Sequence, residues 1–193
     1  MKKYFLITII TVGCLGLHAQ IPFPDKLGLT VIQPQKTDTI LWSAGKKLKW
    51  DDFKCNPDTN EKYLSASTVS IECNWNCADG KFKYEVRALF SKSRSWAKKE
   101  GQKEYLLQHE QLHFNLTEVY ARMLKKELGL LANPCINQDK IKSIIAELKE
   151  KHNQEQKKYD KETNHGDNKA AQKKWEENIK KRLNELDVTS KKK

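Results

Sequence analysis

Beyond residue 20 the sequence has no apolar run long enough to cross a membrane, which excludes a multi-span membrane protein and predicts a soluble mature chain. It carries no recognised nucleic-acid motif, so its excess of basic residues does not imply a nucleic-acid partner. There is no internal repeat, and with it no sign of a solenoid. Paired short cysteine spacings are missing too: only Cys73 and Cys77 are close, which argues against a zinc site made of four thiolates.

What is present begins with an export signal. Lys2 and Lys3 precede an apolar stretch from Tyr4 to Leu17, and Leu17-His18-Ala19 resembles a cleavage site. Residues 1–20 therefore read as a signal peptide, with the mature protein periplasmic or extracellular. A rival reading takes Thr11-Val12-Gly13-Cys14 as a lipoprotein box that would anchor the chain at Cys14, but the apolar stretch continues past it. Losing Lys2 and Lys3, and no acids, lowers the formal charge from +11 to +9. Much of that charge lies on the last sixty residues. It reads first as a solvated surface and second as an attraction to anionic envelope polymers. Four cysteines remain after processing, Cys55, Cys73, Cys77 and Cys135, and an oxidising compartment predicts two disulfides among them.

Residues 21–44 read as an extended lead-in, 45–187 as one domain and 188–193 as a basic tail. Thr39 to Trp42 and Leu48 to Trp50 are short strand candidates. Ser67 to Trp75 alternates, as does Phe82 to Phe90, and Ala78-Asp79-Gly80 between them predicts a β-hairpin. The period then becomes helical. Leu106, His109, Leu112, His113, Leu116 and Tyr120 mark a first helix that ends near Gly129. A second spans Gln138 to about Glu162, and a third carries Ala171, Trp175, Ile179, Leu183 and Leu186 on one face. The expected fold class is α+β, a small antiparallel sheet followed by about three helices.

The chemistry centres on His109-Glu110-Gln111-Leu112-His113. On a helix, positions i and i+4 share a face, so two imidazoles there converge on one Zn²⁺ while the adjacent Glu110 lies beside it as a general base. A catalytic zinc needs a third protein ligand. His165 is the first candidate, because the break at Asn164-His165-Gly166-Asp167 lets it turn toward the first helix; His152, Asp160 and Glu162 are alternatives. Glu118, nine residues after His109, should face outward. Tyr159 is a candidate hydrogen-bond donor to a developing oxyanion, or else a core aromatic. Asp160 or Glu162 is also placed to orient a ligand histidine.

Taken together, several segments resemble a bacterial family described as predicted secreted zinc-dependent proteases, domain of unknown function 922. They are Leu48 to Phe53, Ala66-Ser67-Thr68, Ser95-Trp96, Leu106 to Phe114 with Tyr120-Ala121-Arg122, and Tyr159 to Gly166 followed by Gln172 and Trp175. The resemblance runs in order over about residues 45 to 185. It implies a zincin-like metallopeptidase arrangement and a third-ligand role for His165. It implies no substrate, and the cysteines and the basic tail lie outside it.

The expected function is therefore a zinc metallopeptidase acting on peptide or protein substrates, with Glu110 taking a proton from water and passing it to the leaving amine. Two alternatives stand beside it: an amide hydrolase of cell-wall peptide, and a non-enzymatic envelope protein with a closed zinc site. The sequence does not set an oligomeric state.

Overall fold

The computed structural model describes residues 3–8, 38–57 and 60–190, with side chains for 38–57 and 60–187. Its centre is a long hairpin. Strand β3 (Ser65–Ala78) and strand β4 (Lys81–Ala97) run antiparallel from Ala66 opposite Trp96 to Ala78 opposite Lys81. Only Asp79 and Gly80 separate them, at φ 52° and 70°. Two consecutive left-handed residues form the turn whose twist matches that of the flanking strands, and Asp-Gly tolerates it best. Both strands extend beyond the alternating runs seen in the sequence. The added residues 91–97 of β4 are mostly polar and are held by specific bonds. Thr68 N donates to Ser95 Oγ (2.8 Å), across a register shift between Ala66 and Thr68, and Ser93 N donates to Asp38 Oδ1 (2.9 Å).

Strand β1 (Lys3–Thr8) pairs with β3 on its outer side, Lys3 opposite Trp75 and Thr8 opposite Ser70. It lies within residues 1–20, the segment expected from the sequence to be an export signal. Strand β2 (Thr39–Leu41) pairs with β4, giving the order β1-β3-β4-β2. Apart from β1, the sheet is three antiparallel strands, β3-β4-β2, of which β2 comes from the segment read as the lead-in. The rest of the signal and residues 21–37 of the lead-in lie outside the described residues.

One face of the hairpin is apolar: Val69, Ile71, Cys73 and Trp75 of β3, with Ala88 and Phe90 of β4, are buried. Helix α1 (Glu104–Gly129) lies on it, and Phe114, Leu116, Val119, Leu124 and Leu128 are buried in the core that α1 shares with the sheet and the other helices. Phe114 meets Phe90 at a ring separation of 5.9 Å. Truncating such a buried aromatic to Ala typically costs about 3–5 kcal/mol. Helices α2 (Gln138–Thr163) and α3 (Lys169–Ser190) pack on α1 and on each other, α2 through Ile141, Ile144, Ile145 and Leu148, α3 chiefly through Ile179. The architecture is α+β, a small antiparallel sheet and three helices. No helix among the described residues is long and apolar enough to cross a membrane.

Two expectations are corrected. Leu48 to Trp50 is not a strand. Leu48 is buried with its N–H donated to Gln111 Oε1 (2.8 Å), and Trp50–Asp52 turn into a short 3₁₀ helix whose Asp52 carboxylate accepts the Lys49 N–H (3.0 Å). That local carboxylate bond offers the backbone an alternative to a ladder. The cysteines do not form two bridges among Cys55, Cys73, Cys77 and Cys135. Cys77, at the hairpin tip, is bonded to Cys135 of the α1–α2 connection. Cys73, four residues further into the sheet, is a fully buried free thiol. Burial raises its pKa to about 11, so it packs as a small apolar group. Cys55 is not a free thiol, and its backbone bridges to Trp96.

Candidate functional site

Helix α1 carries His109, Glu110 and His113 against a cleft of about 860 Å³, whose opposite wall includes residues 62–67. His109 and Glu110 are almost fully buried, because they sit where α1 is covered by both β3 and α2. The rings of His109 and His113 lie edge to face, and their Nε2 atoms are 3.1 Å apart. Helix α2 supplies Asp160. Its Oδ1 lies 3.2 Å from His109 Nε2 and 2.9 Å from His113 Nε2. Two nitrogens bound tetrahedrally to one zinc at about 2.0–2.1 Å would be roughly 3.3–3.4 Å apart. The His109–His113 spacing is close to that, so the donor set fits a small divalent cation. Among the described residues, His109, His113 and Asp160 form one group of donors able to share an ion.

The partners of His113 settle which nitrogen faces the cleft. Gln156, four residues before Asp160 on α2, points its amide nitrogen at acceptors, donating to His113 O (3.0 Å) and Thr117 Oγ1 (3.2 Å). Its Oε1 is therefore turned to His113 Nδ1, at 2.5 Å. With a proton on Nδ1, Nε2 is the nitrogen turned toward His109 and Asp160, so it is the one that could ligate a metal after giving up its own proton. For His109, every polar ring contact likewise falls on Nε2, while Nδ1 is buried without a hydrogen-bond partner among the described residues.

His165 is beside this group. Asn164, His165 and Gly166 all have positive φ, at 47°, 51° and 93°, which ends α2 and turns the chain back over α1. His165 N donates to Asp160 O (2.9 Å), and its Nδ1 is 3.6 Å from Asp160 Oδ1. The ring is partly exposed at the rim and lies 4.0 Å from that of Tyr63. The remaining alternatives point elsewhere. His152 is fully buried a turn behind Gln156, with Nε2 3.1 Å from Thr117 Oγ1. Glu162 accepts a hydrogen bond from Trp175 Nε1 (2.8 Å). Glu118 pairs with Arg122 on the far side of α1.

Electrostatics follow from this packing. Burial disfavours a charge on His113, but Asp160, with help from Glu110 and Gln156, overrides it and raises the pKa to about 9. Burial also works against the Asp160 carboxylate, and the two imidazoles outweigh it, holding Asp160 well below the usual range. Burial lowers His165, against the pull of Asp160. Deeper in, burial lowers His152 to about 3, so that ring is neutral.

Glu110 lines the same cleft, and its Oε1 accepts a hydrogen bond from Ser65 Oγ (2.7 Å) at the start of β3. Tyr159 does not face the cleft. It is fully buried, its ring stacks on His109 at 4.7 Å, and its hydroxyl donates to His109 O (3.3 Å). Of the two readings of Tyr159, oxyanion donor and core aromatic, this placement favours the second: its hydroxyl is engaged by the backbone of α1 and its ring packs beneath the motif.

Gln156 and Ser65 belong to the site and carry no motif. For Gln156 a faint signal existed, since His152, Gln156 and Asp160 recur every four residues on one face of α2. Ser65 had none, because its partner is 45 residues away.

No curated protein and no solved structure matches the chain. A family model described as a bacterial protein of unknown function, DUF922, matches residues 68–166, a span that includes His109, Glu110, His113, Asp160 and His165. That match covers just over half of the sequence and contains these five residues, so the chain belongs to the bacterial DUF922 family.

Proposed function

We propose that this protein is an exported zinc-dependent metallopeptidase. One observation carries the reading: two histidine nitrogens and a carboxylate oxygen lie within about 3 Å of one another, beside the buried acid Glu110, at the base of an open cleft. His109, His113 and Asp160 would hold the ion, with His165 at the rim.

Zinc, when bound, supplies Lewis acidity toward water and a substrate carbonyl. The chain supplies the rest. Glu110 takes a proton from the attacking water and delivers it to the leaving amine nitrogen. Ser65 fixes that carboxylate by donating to Oε1. Gln156 keeps the His113 Nε2 lone pair aimed at the ion. Tyr159 stacks on the His109 ring, and at Gly166 the absence of a side chain lets the turn pass close to Leu106 and His109.

The test has two arms. Metal content is measured for wild type and for His113→Ala, Asp160→Ala and His165→Ala. Hydrolysis of an unfolded protein is measured for Glu110→Gln. The expected result is one zinc per chain, lost in the first two variants, and a Glu110→Gln protein that keeps zinc but not hydrolysis. A folded wild type that takes up no zinc, or a Glu110→Gln variant of full activity, overturns the proposal.

A second reading rests on His165. Its Nδ1 lies 3.6 Å from Asp160 Oδ1, at the edge of the His109–His113–Asp160 group, and if it closed on the same ion the site would have four protein ligands, as structural sites do. X-ray absorption on the zinc-loaded protein separates the readings: four protein donors and no water would favour the closed site.

A further inference from the structure

Given the peptidase reading, on which this inference rests, we infer that the cleft selects acidic peptide segments, read by Lys149 and Lys157 on α2 with Lys62 opposite. All three lysines line the cleft with the metal-ligand group. None of them forms an ion pair among the described residues. Elsewhere on α2, by contrast, Lys142 pairs with Asp139, Lys151 with Glu147 and Lys158 with Glu162. The cleft's own acids are largely engaged: Glu110 by Ser65, Asp160 by the histidines. Asp167 is the acid left over, on the His165 side. The open cleft therefore presents three unpaired ammonium groups against the carboxylates of Asp167 and Glu110, before any metal charge is added. A concave, low-dielectric wall concentrates such a field on what enters.

Spacing makes the inference specific. Lys149 and Lys157 are eight residues apart, about 12 Å along a helix rising 1.5 Å per residue. Lys157 precedes Asp160 by three residues, about 4.5 Å on the same rise. Between the lysines, Asn153 also lines the cleft, and its Oδ1 is buried without a hydrogen-bond partner. An extended peptide advances about 3.3 Å per residue, so the two ammonium groups lie roughly four residues apart along it. One acidic side chain would sit within one or two residues of the scissile bond and a second about four residues further out. The Asn153 amide oxygen, between them, would accept a substrate backbone N–H.

The experiment compares three otherwise identical ten-residue peptides that carry Glu, Gln or Lys at those two positions. Binding is read by fluorescence anisotropy on the zinc-loaded Glu110→Gln protein and cleavage on the zinc-loaded wild type. At low ionic strength the Glu peptide should bind about tenfold tighter than the Lys peptide, as expected for two partly screened pairs whose sign is reversed. The preference should shrink as salt shortens the screening length. Lys149→Glu/Lys157→Glu should invert the ranking, whereas Lys151→Glu/Lys158→Glu, the same charge change elsewhere on α2, should leave it alone. Equal binding of all three peptides, or an equal effect of the second double variant, overturns the inference. The wild-type ranking and its salt dependence decide the matter even if a double variant fails to fold. Uniform cleavage of all three peptides defeats the inference alone; a zinc-loaded protein that neither binds nor cuts any peptide defeats the peptidase reading and this inference with it.

Discussion

Replacing Gln156 with Leu tests the reasoning about the site most directly. The side chain is buried and serves both sides of an otherwise closed network. Its Oε1 faces His113 Nδ1, its amide donates to His113 O and Thr117 Oγ1, and it sits 3.0 Å from His152 Nε2. Leu fills the volume and supplies none of these bonds. Each buried polar group left without a partner costs about 1–3 kcal/mol, and at least two are left, so the loss should be about 3–4 kcal/mol. For a domain of this size that is about 6–16 °C in Tm. Zinc affinity should also fall by about 10–100-fold, because His113 loses the acceptor that fixes its proton on Nδ1. Gln156→Glu separates the two effects. It keeps an acceptor for the Nδ1 proton and loses the amide donor, so zinc affinity should largely recover while stability does not. Chelator competition gives affinity, and chemical denaturation with and without zinc gives stability. If Gln156→Leu binds zinc as wild type does, Gln156 is only a core residue and the argument about His113 fails.

Two further outcomes follow from burial and backbone. The metal-free protein should be most stable near pH 6.5. On the acid side, His152 stays neutral when folded, with its pKa lowered to about 3, while the unfolded chain takes up a proton near its ordinary pKa. Between pH 6.5 and 4.5 this removes about 2.3 kcal/mol, with His165, also lowered, acting in the same direction. On the alkaline side, His113 is raised to about 9, so its stabilisation is complete below the ordinary histidine pKa and is lost as pH rises toward 9. Urea unfolding across this range checks both limbs, and a His152→Asn variant should flatten the acid one; stability that climbs steadily to pH 9 contradicts the assignment. Separately, Gly166→Ala should cost about 2 kcal/mol and weaken zinc binding. Its φ is 93°, and the added Cβ would meet Leu106 Cδ2 at 3.0 Å and His109 Cβ at 3.2 Å. An unchanged melting curve and zinc affinity would show that the α2 turn does not position His109.

Local rules read the hairpin and the helices well. Asp79-Gly80 dictates its own turn chemistry, and the apolar steps along α1 match its buried face. The motif residues were legible because both histidines must share one helical face to bind one ion. What could not be read depended on partners distant in sequence. Leu48 to Trp50 has strand-like side chains, but Asp52 and Gln111 claim its backbone N–H groups. Cys73 and Cys77 look equivalent in sequence, yet only the hairpin tip is within reach of Cys135. The tail of β4 is polar and shows no alternation, because it is held through Asp38 and Ser95 and not through an apolar face. Asp160 entered the sequence reading as one of several alternatives. Its convergence with both histidines depends on the angle at which α2 crosses α1, which no local pattern encodes.

Helix α2 has a consequence for how this sequence can change in length. Gln156, Asp160 and the terminal turn at Asn164 to Gly166 all reach the site from one helix, at separations of one or two helical turns. Inserting or deleting one residue between Gln156 and Asn164 would rotate everything after it by about 100°, carrying either Asp160 or His165 away from His109 and His113. The hairpin tip, by comparison, ends in a two-residue turn that lies on the far side of the domain from the cleft-lining start of β3. Length variation among relatives should therefore gather at strand ends and in the segment before α2, while the interval from Gln156 to Gly166 keeps a constant length even where its individual letters drift.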